Sequence, residues 1–176
     1  MQIYEPAEDS FLMQEVLKNL KIPKKHKILD MGSGTGIQAQ TLIQKRIPEK
    51  NLTLVDINPD AIKFLKTNFP KSKVIQSNLF SKIKGNFNFI IFNPPYLPED
   101  KREPEDSRIA TTGGKNGDEI ILKFLKQAKN FLAPYGKILL LTSSLTPRKR
   151  IEKFHPKKLA SKKIFMEELF VEEINL

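Results

Sequence analysis

Apolar residues along the chain follow two alternating patterns: short continuous runs, and stripes that repeat with helical spacing. A continuous run predicts a strand buried on both faces of a sheet, and a stripe predicts an amphipathic helix. The predicted strands cover residues 27–31, 52–56, 73–76, 87–92, 137–142 and 165–174. The predicted helices cover residues 6–20, 37–45, 58–69 and 118–132. Alternating strands and helices are typical of an α/β fold with a mainly parallel sheet.

Polar stretches interrupt this alternation. Residues 97–112 form a long charged loop, and loops of this length are usually functional or mobile. Pro134, Tyr135 and Gly136 predict a turn between the last predicted helix and the next strand. Residues 146–163 are dense in Lys and Arg, which leaves two interpretations open. They contact RNA or an acidic partner, or they form a solvated helix and edge strand.

Composition narrows the class of protein. The chain has 176 residues, of which 39% are hydrophobic, so we expect one folded domain over residues 1–176 with a short N-terminal helix. The absence of Cys excludes disulfides, a cysteine nucleophile and a thiolate zinc site, and no metal site is expected. No apolar run has membrane-spanning length, and the acidic start does not resemble a signal peptide, so a cytoplasmic protein is expected. The formal net charge of +10 fits either a nucleic-acid or ribosomal partner or a lysine-rich solvated surface.

A glycine-rich turn follows the first predicted strand, at Gly32-Ser33-Gly34-Thr35-Gly36, and a helix follows the turn. Glycines let the backbone touch a ligand, and the N–H groups at the start of a helix favour an anion. Strand, glycine turn and helix together predict a cofactor-binding unit. The spacing is G-x-G-x-G, which counts against a pyrophosphate dinucleotide.

Polar residues that end the next two strands predict a nucleoside site. Asp56 ends the second strand about 20 residues past the glycines, where a carboxylate can accept both ribose hydroxyls. Asn78 follows the third strand and could hydrogen-bond an adenine amino group. Leu79 could cover the adenine ring.

The loop Asn93-Pro94-Pro95-Tyr96 follows the fourth strand. Pro94 has a locked φ, so its carbonyl is held in one direction, and the Asn93 side chain offers a second acceptor oxygen. Two fixed acceptors can hold both hydrogens of a planar –NH₂ group, and Tyr96 can stack on the group that carries it. The loop therefore predicts a site that holds an amide or amino nitrogen for alkylation.

These motifs resemble those of class I S-adenosylmethionine-dependent methyltransferases, and the whole chain can be laid on that fold. The resemblance is closest to HemK-like glutamine N5-methyltransferases, in the archaeal and eukaryotic branch that modifies class I translation release factors. The segments that carry the resemblance are residues 4–10, 30–36, 56–58, 93–96 and 113–117. The resemblance implies a Rossmann-like three-layer sandwich with a seven-stranded, mostly parallel sheet of order 3-2-1-4-5-7-6.

The resemblance also implies roles for individual residues. Catalytic roles fall on Asn93, Pro94, Pro95 and Tyr96, with the Asn93 side chain and the Pro94 carbonyl holding the target amide. The implied S-adenosylmethionine site comprises Ser10, Asp30, Gly32, Gly34, Asp56, Ile57, Asn78, Leu79 and Asn93.

Within this implied cofactor site, Asp30 and Gly32 lie along the methionine part. Asp56 takes the ribose hydroxyls, and Ile57 flanks the adenine. Relatives usually have Asp where this chain has Asn78; Asn keeps an acceptor oxygen, so adenine binding is expected to survive.

The expected function is N5-methylation of the Gln in the Gly-Gly-Gln motif of a release factor, which is the protein substrate. One alternative is an adenine N6-methyltransferase that acts on DNA or RNA after the base has been flipped out. A second alternative is a non-catalytic subunit that binds S-adenosylmethionine.

The implied strand order leaves the third strand at an edge of the sheet, with Val74 and Ile75 in it. An uncovered edge is a template for another chain. The resemblance implies a small zinc-binding activator protein at this edge. The alternative is a self-sufficient edge guarded by Lys71 and Lys73.

Overall fold

The computed structural model describes residues 3–100, 102, 104, 108 and 111–176. The strands are β1 (Ile28–Met31), β2 (Leu52–Asp56), β3 (Lys73–Gln76), β4 (Phe87–Phe92), β5 (Leu132–Ser143), β6 (Lys157–Ile164) and β7 (Glu167–Ile174). They form one seven-stranded sheet in the order β3-β2-β1-β4-β5-β7-β6, which confirms the predicted α/β fold and strand order. The pairs among β1 to β5 are parallel, and β7 pairs antiparallel with both β5 and β6.

Helices cover both faces of this sheet and give the three layers. The helices are α1 (Glu8–Asn19), α2 (Ile37–Gln44), α3 (Pro59–Asn68), α4 (Glu119–Ala128) and α5 (Arg148–Ile151), with 3-10 turns at Glu49–Asn51 and Glu152–Phe154. Apolar residues of α1, α2 and α3 pack on one sheet face, and those of α4 and α5 pack on the other.

The two-sided cover explains why the central strands are mostly apolar. In β1, Ile28 belongs to the core on one sheet face and Leu29 to the core on the other, because successive side chains of a strand point to opposite faces. Both residues are fully buried. On α4 the buried residues Ile121 and Phe124 lie one turn apart, so a single helical face covers the sheet.

The start of β5 differs from the prediction. The predicted turn at Pro134–Gly136 lies inside β5, and the predicted helix 118–132 ends earlier, at Ala128. Phe87 of β4 pairs with Leu132, but Phe89 pairs with Lys137, so the extra residues of β5 bulge out. The turn residues therefore shape a bulge within a strand.

The basic segment 146–163 forms α5, the following 3-10 turn and most of the edge strand β6. The last strand, predicted from residue 165, begins at Glu167, because the two residues before it form the turn of the β6–β7 hairpin. Parts of the predicted loop 97–112 lie outside the described residues, namely 101, 103, 105–107, 109 and 110. Among the helices that can be described, none has the length and apolar content needed to cross a bilayer.

Candidate active site

The carboxyl ends of β1, β2 and β4 meet at a cleft of about 440 Å³. Open α/β sheets bind ligands at this edge. The cleft is lined by nearly all residues that the sequence assigns to the site: Ser10, Asp30, Gly32, Gly34, Asp56, Ile57, Asn78, Leu79, Asn93, Pro94 and Pro95. Tyr96 is not among the lining residues; it is half-buried and packs against the core on both sheet faces.

The turn after β1 brings backbone to the cleft. Gly32 and Gly34 have φ values of 64° and 52°, which glycine adopts without strain. The Gly34 N–H donates to an Asp56 carboxylate oxygen at 2.8 Å, so the turn is tied to the end of β2. Gly36 has a different role: a Cβ there would lie 2.3 Å from the Phe69 ring, so close packing against the end of α3 requires glycine.

Asp56 has a carboxylate that backbone groups hold in place. One oxygen accepts from Gly34 N–H and the other from Asn58 N–H, at 2.8 and 2.9 Å. Burial raises the pKa of Asp56, and these hydrogen bonds oppose the rise. The next residue, Ile57, is 49% exposed in the cleft wall. The fixed carboxylate of Asp56 can accept hydrogen bonds from hydroxyl groups, and the exposed side chain of Ile57 can cover an aromatic ring.

Besides Asn93 Oδ1, two buried acceptor atoms in the cleft wall have no hydrogen-bond partner among the described residues: Asp30 Oδ2 and Gln38 Oε1. Burial raises the pKa of Asp30 to about 7; a hydrogen bond with Ser33 opposes this rise, and the Asp56 charge adds to it. Gln38 is held by its Nε2, which donates to the Ser10 carbonyl at 3.0 Å. Unpartnered buried acceptors fit a ligand that carries positive charge and N–H donors, as the methionine part of S-adenosylmethionine does.

The loop after β3 completes the wall. Asn78 is exposed, and Leu79 is half-buried with a φ of 48°, a left-handed conformation that is unusual for a branched residue. The Leu79 carbonyl accepts from the Ser77 hydroxyl at 2.8 Å, which holds this turn. Backbone strain of this kind concentrates at functional sites.

The Asn93 side chain lies at the other end of the cleft. Its Nδ2 donates to an Asp9 carboxylate oxygen at 3.0 Å and lies 3.5 Å from the Ser10 hydroxyl. Its Oδ1 is buried and has no hydrogen-bond partner among the described residues. The amide therefore keeps one acceptor available beside Pro94 and Pro95.

The segment Gly113–Gly117 fixes the loop that carries Asn93. Gly113 N–H donates to the Leu97 carbonyl at 2.9 Å. A Cβ at Gly117 would lie 2.6 Å from the Tyr96 carbonyl oxygen, so only glycine allows this approach. The Thr146 hydroxyl donates to the same carbonyl at 2.9 Å. The loop is therefore held in place by contacts to the Tyr96 backbone.

Sequence reasoning missed Tyr4, Asp9 and Gln38, which also line the cleft. Tyr4 and Asp9 lie in the same N-terminal segment as Ser10, so the motif itself was the available signal. Gln38 offered a weaker one: it is a polar residue on the buried face of α2.

The strand order, the glycine turn and the cleft define a class I methyltransferase that uses S-adenosylmethionine. Residues 9–165 match the family described as Methyltransferase small domain. The fold is similar to that of the T. thermophilus 16S rRNA N2 G1207 methyltransferase in complex with AdoMet and guanosine. The TM-score is 0.63 at 18% identity, over 97% of this chain and 44% of that one.

Two relatives indicate more narrowly which kind of methyltransferase this chain is. A Methanocaldococcus jannaschii protein named for protein N5-glutamine methyltransferase activity is 41% identical over 162 residues, which cover 88% of this chain and 80% of that protein. The release factor glutamine methyltransferase of Deinococcus radiodurans is 32% identical over 80% of this chain and 53% of its own length. The chain therefore belongs to the methyltransferase small domain family and, within it, to the HemK-like glutamine methyltransferases, which confirms the resemblance found in the motifs.

Proposed function

We propose that this enzyme methylates the side-chain amide nitrogen of the Gln in the Gly-Gly-Gln motif of a class I translation release factor, in the cytoplasm. The observation that carries the proposal is the buried Oδ1 of Asn93, to which no group of the described residues donates a hydrogen bond. A buried acceptor without a donor costs about 1–3 kcal/mol, so a substrate N–H is expected there. The names of the two relatives support the same substrate class.

The loop residues hold the amide. Asn93 Oδ1 accepts one amide hydrogen and the Pro94 carbonyl accepts the other, because the locked proline φ keeps that carbonyl in place. With both hydrogens held, the amide nitrogen keeps more of its lone pair and faces one direction. Pro95 stiffens the loop, and Tyr96 anchors it through the Thr146 hydrogen bond. The residues act by orientation, which can supply much of the rate enhancement.

The opposite half of the cleft holds the cofactor, which when bound supplies a methyl group activated by its attachment to a sulfonium. Asp56 accepts the ribose hydroxyls, while Ile57 and Leu79 cover the adenine ring. Asn78 accepts from the adenine amino group. The methionine part lies along Asp30 and Gly32, Gly34 lies in the same glycine turn, and Ser10 meets the cofactor from α1. Gln38 Oε1, which has no hydrogen-bond partner among the described residues, supports a further contact in this part of the cleft.

Cofactor affinity should fall as the pH drops below 7. Burial raises the pKa of Asp30 to about 7, so part of the free protein is protonated there at neutral pH. A cationic ligand favours the ionised carboxylate, so binding at lower pH must displace a proton. The dissociation constant should then rise by up to about tenfold per pH unit below 7 and level off above it. Calorimetric titrations across this range measure the slope.

The matched variant for this pH dependence is Asp30→Asn. It should bind the cofactor weakly and show no such slope. Asp56, whose pKa is also raised by burial, is the other carboxylate facing this region. A slope that persists in Asp30→Asn would assign the titration to Asp56 instead.

Mass spectrometry of a release factor incubated with the enzyme and cofactor tests the proposed function. One added methyl group on the Gly-Gly-Gln peptide is the expected result, and a substrate with Ala in place of that Gln should gain none. An adenine-containing oligonucleotide offered in parallel tests the alternative. Methylation of the oligonucleotide with an unmodified release factor would overturn the proposal.

We also propose that the edge strand β3 binds a small zinc-binding activator protein through Val74 and Ile75. β3 is the terminal strand of the sheet, and both side chains are half-buried. Ser77 N–H donates to the Asp56 carbonyl, toward β2. Because alternate residues of a parallel strand direct their N–H groups to opposite sides, Val74 N–H points to the open edge. It is therefore available to another strand.

Val74→Pro should abolish capture of the activator while the isolated chain still binds cofactor. Proline removes an outward N–H, and no ladder hydrogen bond to β2 is lost. Val74→Thr keeps the N–H and is the matched control, so it should retain the partner. Co-expression followed by pull-down measures the difference. Equal capture by both variants, or full activity of the wild-type chain with no gain from the activator, would contradict this proposal.

A further inference from the structure

Asp9, in the first turn of α1, lies directly behind Asn93. The residue is 5% exposed, and among the described residues three groups donate hydrogen bonds to its carboxylate. Asn93 Nδ2 donates to one carboxylate oxygen at 3.0 Å, and the Tyr4 hydroxyl lies 3.1 Å from both oxygens. The Ser10 backbone N–H donates at 2.6 Å. A buried carboxylate with this set of donors is held in a single position.

This carboxylate determines which end of the Asn93 amide faces the cleft. The amide has a donor end and an acceptor end, which are otherwise nearly equal in shape. A carboxylate only accepts hydrogen bonds, so it pairs with the NH₂ end and leaves Oδ1 as the end that has no partner in the part of the chain that the structure describes. If the amide were rotated by half a turn, Oδ1 would face Asp9 and the NH₂ group would face the substrate. That rotamer would repel the N–H groups that it has to hold.

We propose that Asp9 is a positioning residue that locks Asn93 with its acceptor oxygen toward the substrate, and that Tyr4 fixes Asp9 in turn. The inference rests on the proposed function for the identity of the group held by Oδ1, but the orientation of the amide stands without it. Tyr4 is suited to this role as a donor, because burial and the Asp9 carboxylate raise the pKa of its hydroxyl.

Kinetics with Asp9→Ala and Glu8→Ala provide the first test. Glu8 is a second carboxylate in the first turn of α1; it is exposed, pairs with Lys162, and does not bond Asn93. Asp9→Ala should lower kcat on the release factor by about 10–100-fold, because Asn93 then samples the wrong orientation. Cofactor affinity should stay close to the wild-type value, and Glu8→Ala should leave kcat unchanged. Asp9→Asn keeps one acceptor oxygen but replaces the other with a donor, so it should recover only part of the lost turnover.

Nuclear magnetic resonance of the free protein provides a readout that does not depend on turnover. The Asn93 side-chain NH₂ signals are assigned by their loss in Asn93→Ala. In the wild type, one of these protons should be shifted downfield by the carboxylate and should exchange slowly with water. Asp9→Ala should remove both effects, Tyr4→Phe should weaken them, and Glu8→Ala should leave them in place.

Each outcome decides the proposal. Wild-type kcat in Asp9→Ala, or unchanged Asn93 NH₂ signals in that variant, would overturn it. A loss of cofactor affinity as large as the loss of kcat would also overturn it, since it would indicate a general structural role. If the wild-type enzyme fails to methylate the release factor, the proposed function fails, and the NH₂ signals still decide the role of Asp9.

Discussion

Asn93→Ala should lower turnover on the release factor by at least about 100-fold, the size of effect seen when one preorganised polar group is removed from an active site. The variant loses Oδ1, which is buried beside Pro94 and has no partner among the described residues. The substrate amide would then be held by a single acceptor and would no longer be fixed in the plane needed for transfer. Mass spectrometry of the methylated peptide against time measures the loss.

The control for this variant is cofactor affinity, which should change far less than turnover because Asn93 lies at the substrate end of the cleft. A matched variant is Asn68→Ala, since Asn68 is exposed at the end of α3 and its side-chain NH₂ donates to the Phe64 carbonyl one turn earlier. It should behave as wild type. If Asn93→Ala keeps most of the wild-type turnover, the proposal that Asn93 holds the substrate amide is wrong.

Asp56→Ala should lower cofactor affinity by well over tenfold while the fold persists. The variant removes the proposed carboxylate acceptor of the two ribose hydroxyls, and each such hydrogen bond is worth about 1.5–3 kcal/mol. The structure adds a second reason, because the same carboxylate accepts from Gly34 and Asn58 N–H groups and so shapes the glycine turn. Titration calorimetry measures the affinity, and circular dichroism checks the fold.

Asp56→Asn is the matched comparison. It keeps one acceptor oxygen, so its affinity should lie between those of the wild type and Asp56→Ala. An unchanged cofactor affinity in Asp56→Ala would contradict the proposal that Asp56 binds the ribose hydroxyls. Unfolding of the Asp56→Ala chain would instead show that the bonds to the glycine turn are needed for stability.

The sequence was sufficient to predict the positions of the central strands and most of the residues that line the cleft. β2, β3 and β4 begin and end where predicted. β2 and β4 are largely buried runs, and β3 is a short edge strand bounded by polar residues. Asp56 and the Asn93 loop line the cleft because parallel strands bring their carboxyl ends together. These features depend on local pattern and on topology, and both can be read from the chain.

Features that depend on contacts between distant segments were not predictable. Asn93 and Asp9 are 84 residues apart, and nothing local to either residue indicates their hydrogen bond. The bulge in β5 arises from its pairing with β4, so the turn signal alone placed the start of the strand too late. The surroundings of Tyr96 also come from distant segments: its half-buried side chain packs against the core on both sheet faces, and the Gly113–Gly117 segment and Thr146 hold its backbone. Its stacking on the substrate stays a prediction.

The fixed orientation of the Asn93 amide also determines what the site rejects. In the proposed function, Oδ1 and the Pro94 carbonyl both face the substrate, so the site accepts only a group that brings two hydrogens. Glutamine that has been deamidated to glutamate brings a negative charge and no N–H, and it would meet two acceptors with the Asp9 carboxylate behind them. In the proposed function, a release factor damaged by hydrolysis at its target residue is therefore excluded, so the methyl mark is confined to chains whose amide is intact.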